Sequence, residues 1–311
     1  MKRPILTPVI SPAALPEAPS TGRVVLVDVA FANGDRFETA TRPLIEELGE
    51  RLALWVDHHD HKAWKRYRAD PRFLLVDRRA APACPELVTE DVVARVGEFA
   101  HLFAHADFDG CVAAAKVMRG GRAPYPEADE DARAVDSPGK GFVVTPRGLR
   151  LALAIERSGA TERTADFVEL FHRLVDALVE GREPPELSAK IDSLAEAQRA
   201  RYLELERLLQ KAEAPHPEIR VLALSRSLEP SDKKFLLRAL EEAARIGVLI
   251  EREHITVATY DDRRVDLRGV EGLLGQAGFV WGRAPIDRVL SDLVDLLAAS
   301  DRSIASTSSG S

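Results

Sequence analysis

Short apolar runs that stop at acidic or histidine residues punctuate the first half of the chain. RVVLVDVAF (23–31), ALWVDHH (53–59) and FLLVD (73–77) are rich in branched side chains and too short for typical helices, so they predict buried strands. Between the first two, RPLIEELGERL (42–52) spaces its apolar residues as a helix does. CPELVTEDVVARVGEFAHLF (84–103) predicts another helix, and AHADFDGCVAAAKVMRGG (104–121) a turn running into a helix that glycines close. Strands that alternate with helices and carry polar residues at their ends predict an α/β fold with a parallel sheet. In such sheets ligands bind beyond the carboxyl ends of the strands.

The pattern then changes. From 148 to 214 it is helical throughout: GLRLALAIERSG, RTADFVELFHRLVDALVEG and the long charged LSAKIDSLAEAQRARYLELERLLQKAEA, with Glu-Pro-Pro at 183–185 separating the last two. PHPE (215–218) marks a second break. IRVLALS, SDKKFLLRALEEAARIG (capped by Ser231), VLIEREHITVATY and the helix IDRVLSDLVDLLAA follow it. The expected organisation is a flexible lead-in at 1–22, a catalytic α/β domain at 23–147 and a helical connector at 148–214. A smaller α/β substrate-binding domain at 215–300 and a disordered Ser-rich tail at 301–311 complete it.

Composition narrows the class. Of 311 residues 45% are hydrophobic and 30% charged, as in a folded globular protein. No apolar run approaches the about 18 residues a membrane span needs. The proline-broken start MKRPILTPVISPAALPEAP lacks the continuous apolar core of a secretory signal. Cys84 and Cys111 alone cannot build a disulfide framework, which fits a reducing cytoplasm. The net charge of −7 argues against a protein that grips long nucleic acid through a basic excess. It leaves room for a small anionic substrate held at one site.

The polar ends of the runs carry the chemistry. Asp28 closes LVDV, Asp57-His58-His59 close WVDHH, and His105, Asp107 and Asp109 stand in FAHADFDGC. Each alone has an ordinary structural reading as a cap or turn; Asp109, for example, could cap the helix after it. Several carboxylates and imidazoles brought to one sheet edge would repel unless a cation sat among them. An Asp/His donor set without thiolates favours Mn²⁺ or Mg²⁺ and admits Zn²⁺ or iron. An excess of carboxylates suits a pair of ions sharing a ligand.

VDHH and HADFDG followed by CVAAA resemble the signature motifs of the DHH phosphoesterase superfamily, which includes RecJ-like exonucleases, oligoribonucleases and cyclic-dinucleotide phosphodiesterases. The resemblance covers roughly residues 23–140. It implies a hydrolase that cleaves phosphoester bonds of a short nucleotide or single-stranded oligonucleotide with two divalent ions, commonly Mn²⁺. By this resemblance Asp28 bridges both ions, His58 ligates, His105 and Asp107 serve one ion and Asp109 the other. His59 faces the scissile phosphate, with Asp57 behind it. The order departs from the family, in which HxDxDG precedes the lone Asp and DHH. The last family ligand falls on Asp136 in ARAVDSPGKG by preference, with Asp77 as the alternative.

The family's Gly-Gly-Gly-His substrate loop is missing. Its nearest substitute is LLGQAGFVWGRAP, where Gly275, Gly278 and Gly282 could admit a phosphate and Arg283 supply charge; a glycine-rich turn explains the same residues. His101, His172, His216 and His254 have no carboxylate constellation around them and are read as structural or surface residues. A catalytically weak nucleotide-binding protein on the same scaffold is the alternative function. The chain also admits a homodimer.

Overall fold

The computed structural model describes residues 3–32, 36–137, 141–262 and 264–308, with side chains described as far as Arg302. The chain divides into two compact units. The first spans residues up to 137 and 142–198, and the second runs from Arg199 to the C-terminus.

The first unit is built on β1 (Ile5–Val9), β2 (Val24–Val27), α1 (Arg42–Leu48), β3 (Leu52–Asp57), β4 (Phe73–Leu75), α2 (Glu90–Val96), β5 (His101–His105) and α3 (Phe108–Met118). α4 (Ala128–Asp136), α5 (Pro146–Thr161) and α6 (Thr164–Glu180) follow, then the start of α7 (Pro185–Leu209). The five strands form one wholly parallel sheet in the order β1-β5-β2-β3-β4. The fold is mixed α/β, as the alternating pattern requires.

Several expectations are corrected. Residues 5–9, read as flexible lead-in, form an edge strand. Ile5 to Val9 pair with His101 to His105 in parallel, and Val9 is buried. The helix expected over 84–103 breaks into a 3₁₀ turn at Cys84–Leu87 and the short α2, which Thr89 caps by accepting from the Val92 N–H. Gly97 then turns the chain with φ +69°, and His101–Phe103 enter β5. Local helical spacing lost here to sheet pairing. The segment 148–198 is more than a connector, because α5 and α6 fill one side of the sheet. Leu151, Ile155, Phe167, Leu170, Phe171 and Leu174 share a core with Val25, Val27, Leu102 and Ala104. The opposite face carries Trp55, Trp64, Phe31, Phe37 and Leu48.

The second unit holds a separate six-stranded sheet: β6 (Glu213–His216), β7 (Ile219–Leu224), β8 (Ile246–Glu251), β9 (His254–Ala258), β10 (Leu273–Gln276) and β11 (Phe279–Gly282), ordered β10-β11-β9-β8-β7-β6. α8 (Pro230–Ala243) crosses over between the parallel β7 and β8. Its N-cap is Glu229 with Pro230 in the first turn, so Ser231 lies inside the helix and does not cap it. α9 (Ile286–Ser308) covers one face through Val289, Leu293 and Leu297; its backbone stays helical to Ser308, well into the segment read as a disordered tail, and 309–311 lie outside the described residues. Gly275 and Gly282 belong to the β10–β11 hairpin. A Cβ on Gly275 would stand 2.2 Å from the Phe279 carbonyl, so strand pairing itself requires that glycine.

One glycine fixes the approach of α3 to the sheet. A Cβ on Gly110 would lie 2.1 Å from the His105 carbonyl oxygen. Helix propensity alone favours alanine by about 1 kcal/mol, whereas overpacking costs about 1–3 kcal/mol. Gly110→Ala should therefore destabilise the protein, which thermal or urea denaturation will show; a stabilised variant would mean that α3 is not seated so closely on β5.

Candidate metal centre

Register places the motifs together. Val27 of β2 pairs with Ala104 of β5 on one side and Val56 of β3 on the other. Asp28, His105 and Asp57 are therefore the next residues at the carboxyl ends of three adjacent parallel strands. Across the sheet the three strands lie in the order β5-β2-β3, although the chain reaches them as β2, β3, β5.

At Asp28 the chain leaves the strand with φ +59°, a left-handed conformation that a non-glycine residue adopts at a cost of about 1–3 kcal/mol. Its N–H still donates to the Val56 carbonyl at 2.9 Å. The turn leaves the carboxylate fully buried, with neither oxygen hydrogen-bonded. His58 is equally buried. Its Nδ1 lies 3.1 Å from the Ala81 carbonyl, which can only accept, so Nδ1 carries a proton and Nε2 is the nitrogen left to face the cluster. That Nε2 has no hydrogen-bond partner and stands 3.3 Å from Asp28 Oδ1, 3.6 Å from Asp109 Oδ2 and 3.7 Å from Asp136 Oδ2.

His105 Nδ1 lies 3.0 Å from Asp107 Oδ2 and 3.5 Å from Asp28 Oδ2, also without hydrogen-bond geometry. Asp107, rather than Asp109, caps α3 by accepting from the Gly110 N–H at 3.1 Å. This frees Asp109 to turn inward, where it is buried and accepts from the Cys84 N–H at 3.2 Å. His59 is 23% exposed; its Nδ1 lies 2.9 Å from Asp57 Oδ1, and Nε2 makes no hydrogen bond to any described residue.

Of the two aspartates left open, Asp136 at the end of α4 joins His58 and Asp109. Asp77 instead fixes a turn, accepting from the Arg79 and Ala80 N–H groups at 3.1 Å each. Arg283 is in the second unit, exposed and 3.7 Å from Glu253. Of the histidines read as structural, His101 Nε2 meets the Thr21 carbonyl and His216 Nδ1 accepts from the Glu218 N–H, whereas the buried Nδ1 of His254 has no hydrogen-bond partner. Sequence reasoning missed Arg78, whose guanidinium donates to Asp136, along with the Ala81 carbonyl and the Cys84 N–H. The only signal for Arg78 was a basic pair directly after a strand end.

Crowding shifts the titration of His58, His105, Asp107 and Asp109. Burial, and then the neighbouring Asp28, Asp107 and Asp136, push the Asp109 carboxyl well above the usual carboxylate range. Burial opposes charge on His58 and His105, yet the facing carboxylates outweigh it and raise both pKa values. Burial likewise opposes charge on Asp107, but His105 holds it well below its ordinary value. Three overlapping donor sets emerge: Asp28 with His58 and His59, Asp28 with His105 and Asp107, and His58 with Asp109 and Asp136. Buried oxygens and nitrogens without partners, in an all-Asp/His set, fit a hard or borderline divalent cation.

No family model matches the chain, and no curated protein does. Solved structures do resemble it. A manganese-bound exonuclease RecJ has 17% identity, with 90% of this chain and 75% of that one covered, at a TM-score of 0.35. The pGpG-specific phosphodiesterase PggH from Vibrio cholerae has 14% identity, 89% and 99% coverage and a TM-score of 0.45. An exopolyphosphatase-related protein from Bacteroides fragilis has 12% identity, 88% and 71% coverage and a TM-score of 0.42. At such identities and scores the likeness says nothing of chemistry, which has to come from the site residues. Among the described residues no helix is long and apolar enough to cross a membrane.

Two consequences are measurable. Asparagine tolerates the left-handed backbone at position 28 and carries no charge. Asp28→Asn should therefore raise the melting temperature of chelator-treated protein while abolishing any rise on adding Mn²⁺. A variant that keeps the full Mn²⁺ shift would show that Asp28 holds no ion. The second consequence concerns pH. The raised pKa values of His58, His105 and Asp109 stabilise the metal-free fold at low pH, a contribution lost as pH rises through those values. Ion binding needs the same groups deprotonated, so the Mn²⁺-induced shift should grow from pH 5 to pH 8. A shift independent of pH would place the ion elsewhere.

Proposed function

We propose that the chain is a divalent-metal-dependent phosphohydrolase that cleaves phosphoester bonds of a short nucleotide or single-stranded oligonucleotide. The observation that carries this reading is the gathering of seven side chains into three overlapping donor sets linked through Asp28 and His58. Among them the Asp28 oxygens, His58 Nε2 and His105 Nδ1 lack any hydrogen bond. His105 and Asp107 would hold one ion, and His58, Asp109 and Asp136 a second, with the two Asp28 oxygens shared. Mn²⁺ is the expected metal and Mg²⁺ the alternative. Ions held there would polarise a phosphoryl oxygen and make an attacking water more acidic.

The chain's own residues do the rest. Asp57 accepts from the His59 backbone N–H at 3.1 Å and faces its Nδ1 at 2.9 Å, which fixes the ring. A ring so held can carry a proton on Nε2 and present it to negative charge developing on the phosphate. Asp28, Asp57, His58 and Asp109 are almost wholly buried, and charge interactions are stronger in such a low-dielectric surround than in water. Arg283 is the substrate-binding candidate of the second unit, where a cation would suit a phosphate. The net charge of −7 favours a short substrate over a long polymer.

Short DNA, RNA and cyclic dinucleotides incubated with Mn²⁺ and resolved by product test the reading. Metal-dependent release of nucleotides is expected, and no turnover of any phosphoester would remove it. The adjacent histidines divide the labour. His58→Ala should lower bound metal and activity together. His59→Ala should keep the metal and lose about 10²–10³ in kcat, as does loss of one preorganised donor. Equal metal loss in both would refute that division.

A further inference from the structure

Arg78 stands just past β4, in the turn that Asp77 pins. Its Nη2 donates to Asp136 Oδ2, the same oxygen that faces His58 Nε2 at 3.7 Å. That oxygen is also the Asp136 donor nearest to His58, within the His58–Asp109–Asp136 set. One carboxylate oxygen therefore has two claimants, a guanidinium and an ion. The Arg78 Nε is buried and unpartnered, so the fork is only partly used. Yet the side chain is 29% exposed, and a ligand arriving from solvent can reach it.

We propose that Arg78 is the internal counter-cation of the metal-free cluster and the phosphate-recognising residue of the loaded one. It occupies Asp136 until a divalent ion takes that oxygen, and its freed donors then receive the substrate's phosphate oxygens. This rests on the phosphohydrolase reading and deepens it by naming the group that selects a phosphate. A planar guanidinium matches two phosphate oxygens at once, which a lone ammonium cannot do. The turn at Asp77 fixes the backbone, so only the side chain has to move. A purely structural Arg78–Asp136 pair makes the opposite prediction: removing Arg78 would let Asp136 drift and weaken metal binding.

Calorimetric titration of the full chain separates the two, first with Mn²⁺ into chelator-stripped protein, then with inorganic phosphate into the Mn²⁺-loaded form. Arg78→Met keeps much of the side-chain volume and removes the charge. It should bind Mn²⁺ about tenfold more tightly, having lost a competing cation, and phosphate about tenfold more weakly. Arg78→Lys keeps charge without the fork; it should hold Mn²⁺ within about threefold of wild type and still lose phosphate affinity several-fold. If Arg78→Met does not fold, the lysine variant decides. Weakened Mn²⁺ binding in a folded variant, or unchanged phosphate affinity, overturns the proposal while leaving the metal centre standing. Wild-type protein that binds no Mn²⁺ overturns the metal centre itself, and the role of Arg78 with it.

Discussion

Like charges gathered at the carboxyl edge of the parallel sheet are the constraint on which the rest of the first unit turns. Asp28, Asp57 and Asp109 are almost wholly buried, and each faces at least one of the three imidazoles of His58, His59 and His105. Carboxylates in such a place are costly unless protons, a guanidinium or metal ions offset them. The metal-free chain uses the first two: Asp109 retains its proton more readily than usual, and Arg78 pairs with Asp136.

Holding this arrangement together takes the whole unit. Asp28 is kept left-handed because β2 is locked between β3 and β5 up to Val27, and its N–H is still tied to Val56. Gly110 lets α3 begin against the His105 carbonyl, and the Asp107 cap orients the first turn so that Asp109 points inward. Asp136 arrives on α4, whose Asp131 is buried and accepts from Tyr125 and from both the N–H and hydroxyl of Thr145 at the start of α5. The helices at 146–180 thus brace the helix that delivers the last carboxylate, which explains why they pack in the sheet's own core.

The bound groups of the site are held by backbone atoms as much as by side chains. The Ala81 carbonyl sets the His58 tautomer and the Cys84 N–H engages Asp109, both from the irregular stretch after β4. That stretch also carries Arg78 and the turn fixed by Asp77. A segment with little regular structure therefore orients one imidazole, one carboxylate and one counter-cation.

The strand–helix alternation, the polar strand ends and the side chains Asp28, His58, His59, His105, Asp107 and Asp109 were all legible in the sequence. Short continuous apolar runs and strand-end polarity are local properties of the chain, and the strands they form are buried along their length. Tertiary structure alone decided the rest. Residues 5–9 became a strand because β5 offered them an edge, and 101–103 left a helical pattern for the same pairing. Asp136 rather than Asp77 reached the cluster because α4 folds back over the sheet, a contact between residues far apart in the chain. His105 and Asp107 meet Asp28 because β5 pairs with β2, although β3 and β4 separate the two strands along the chain. Arg78 and the Ala81 carbonyl were invisible beforehand because an isolated arginine or a backbone oxygen has no pattern until its partner is in place.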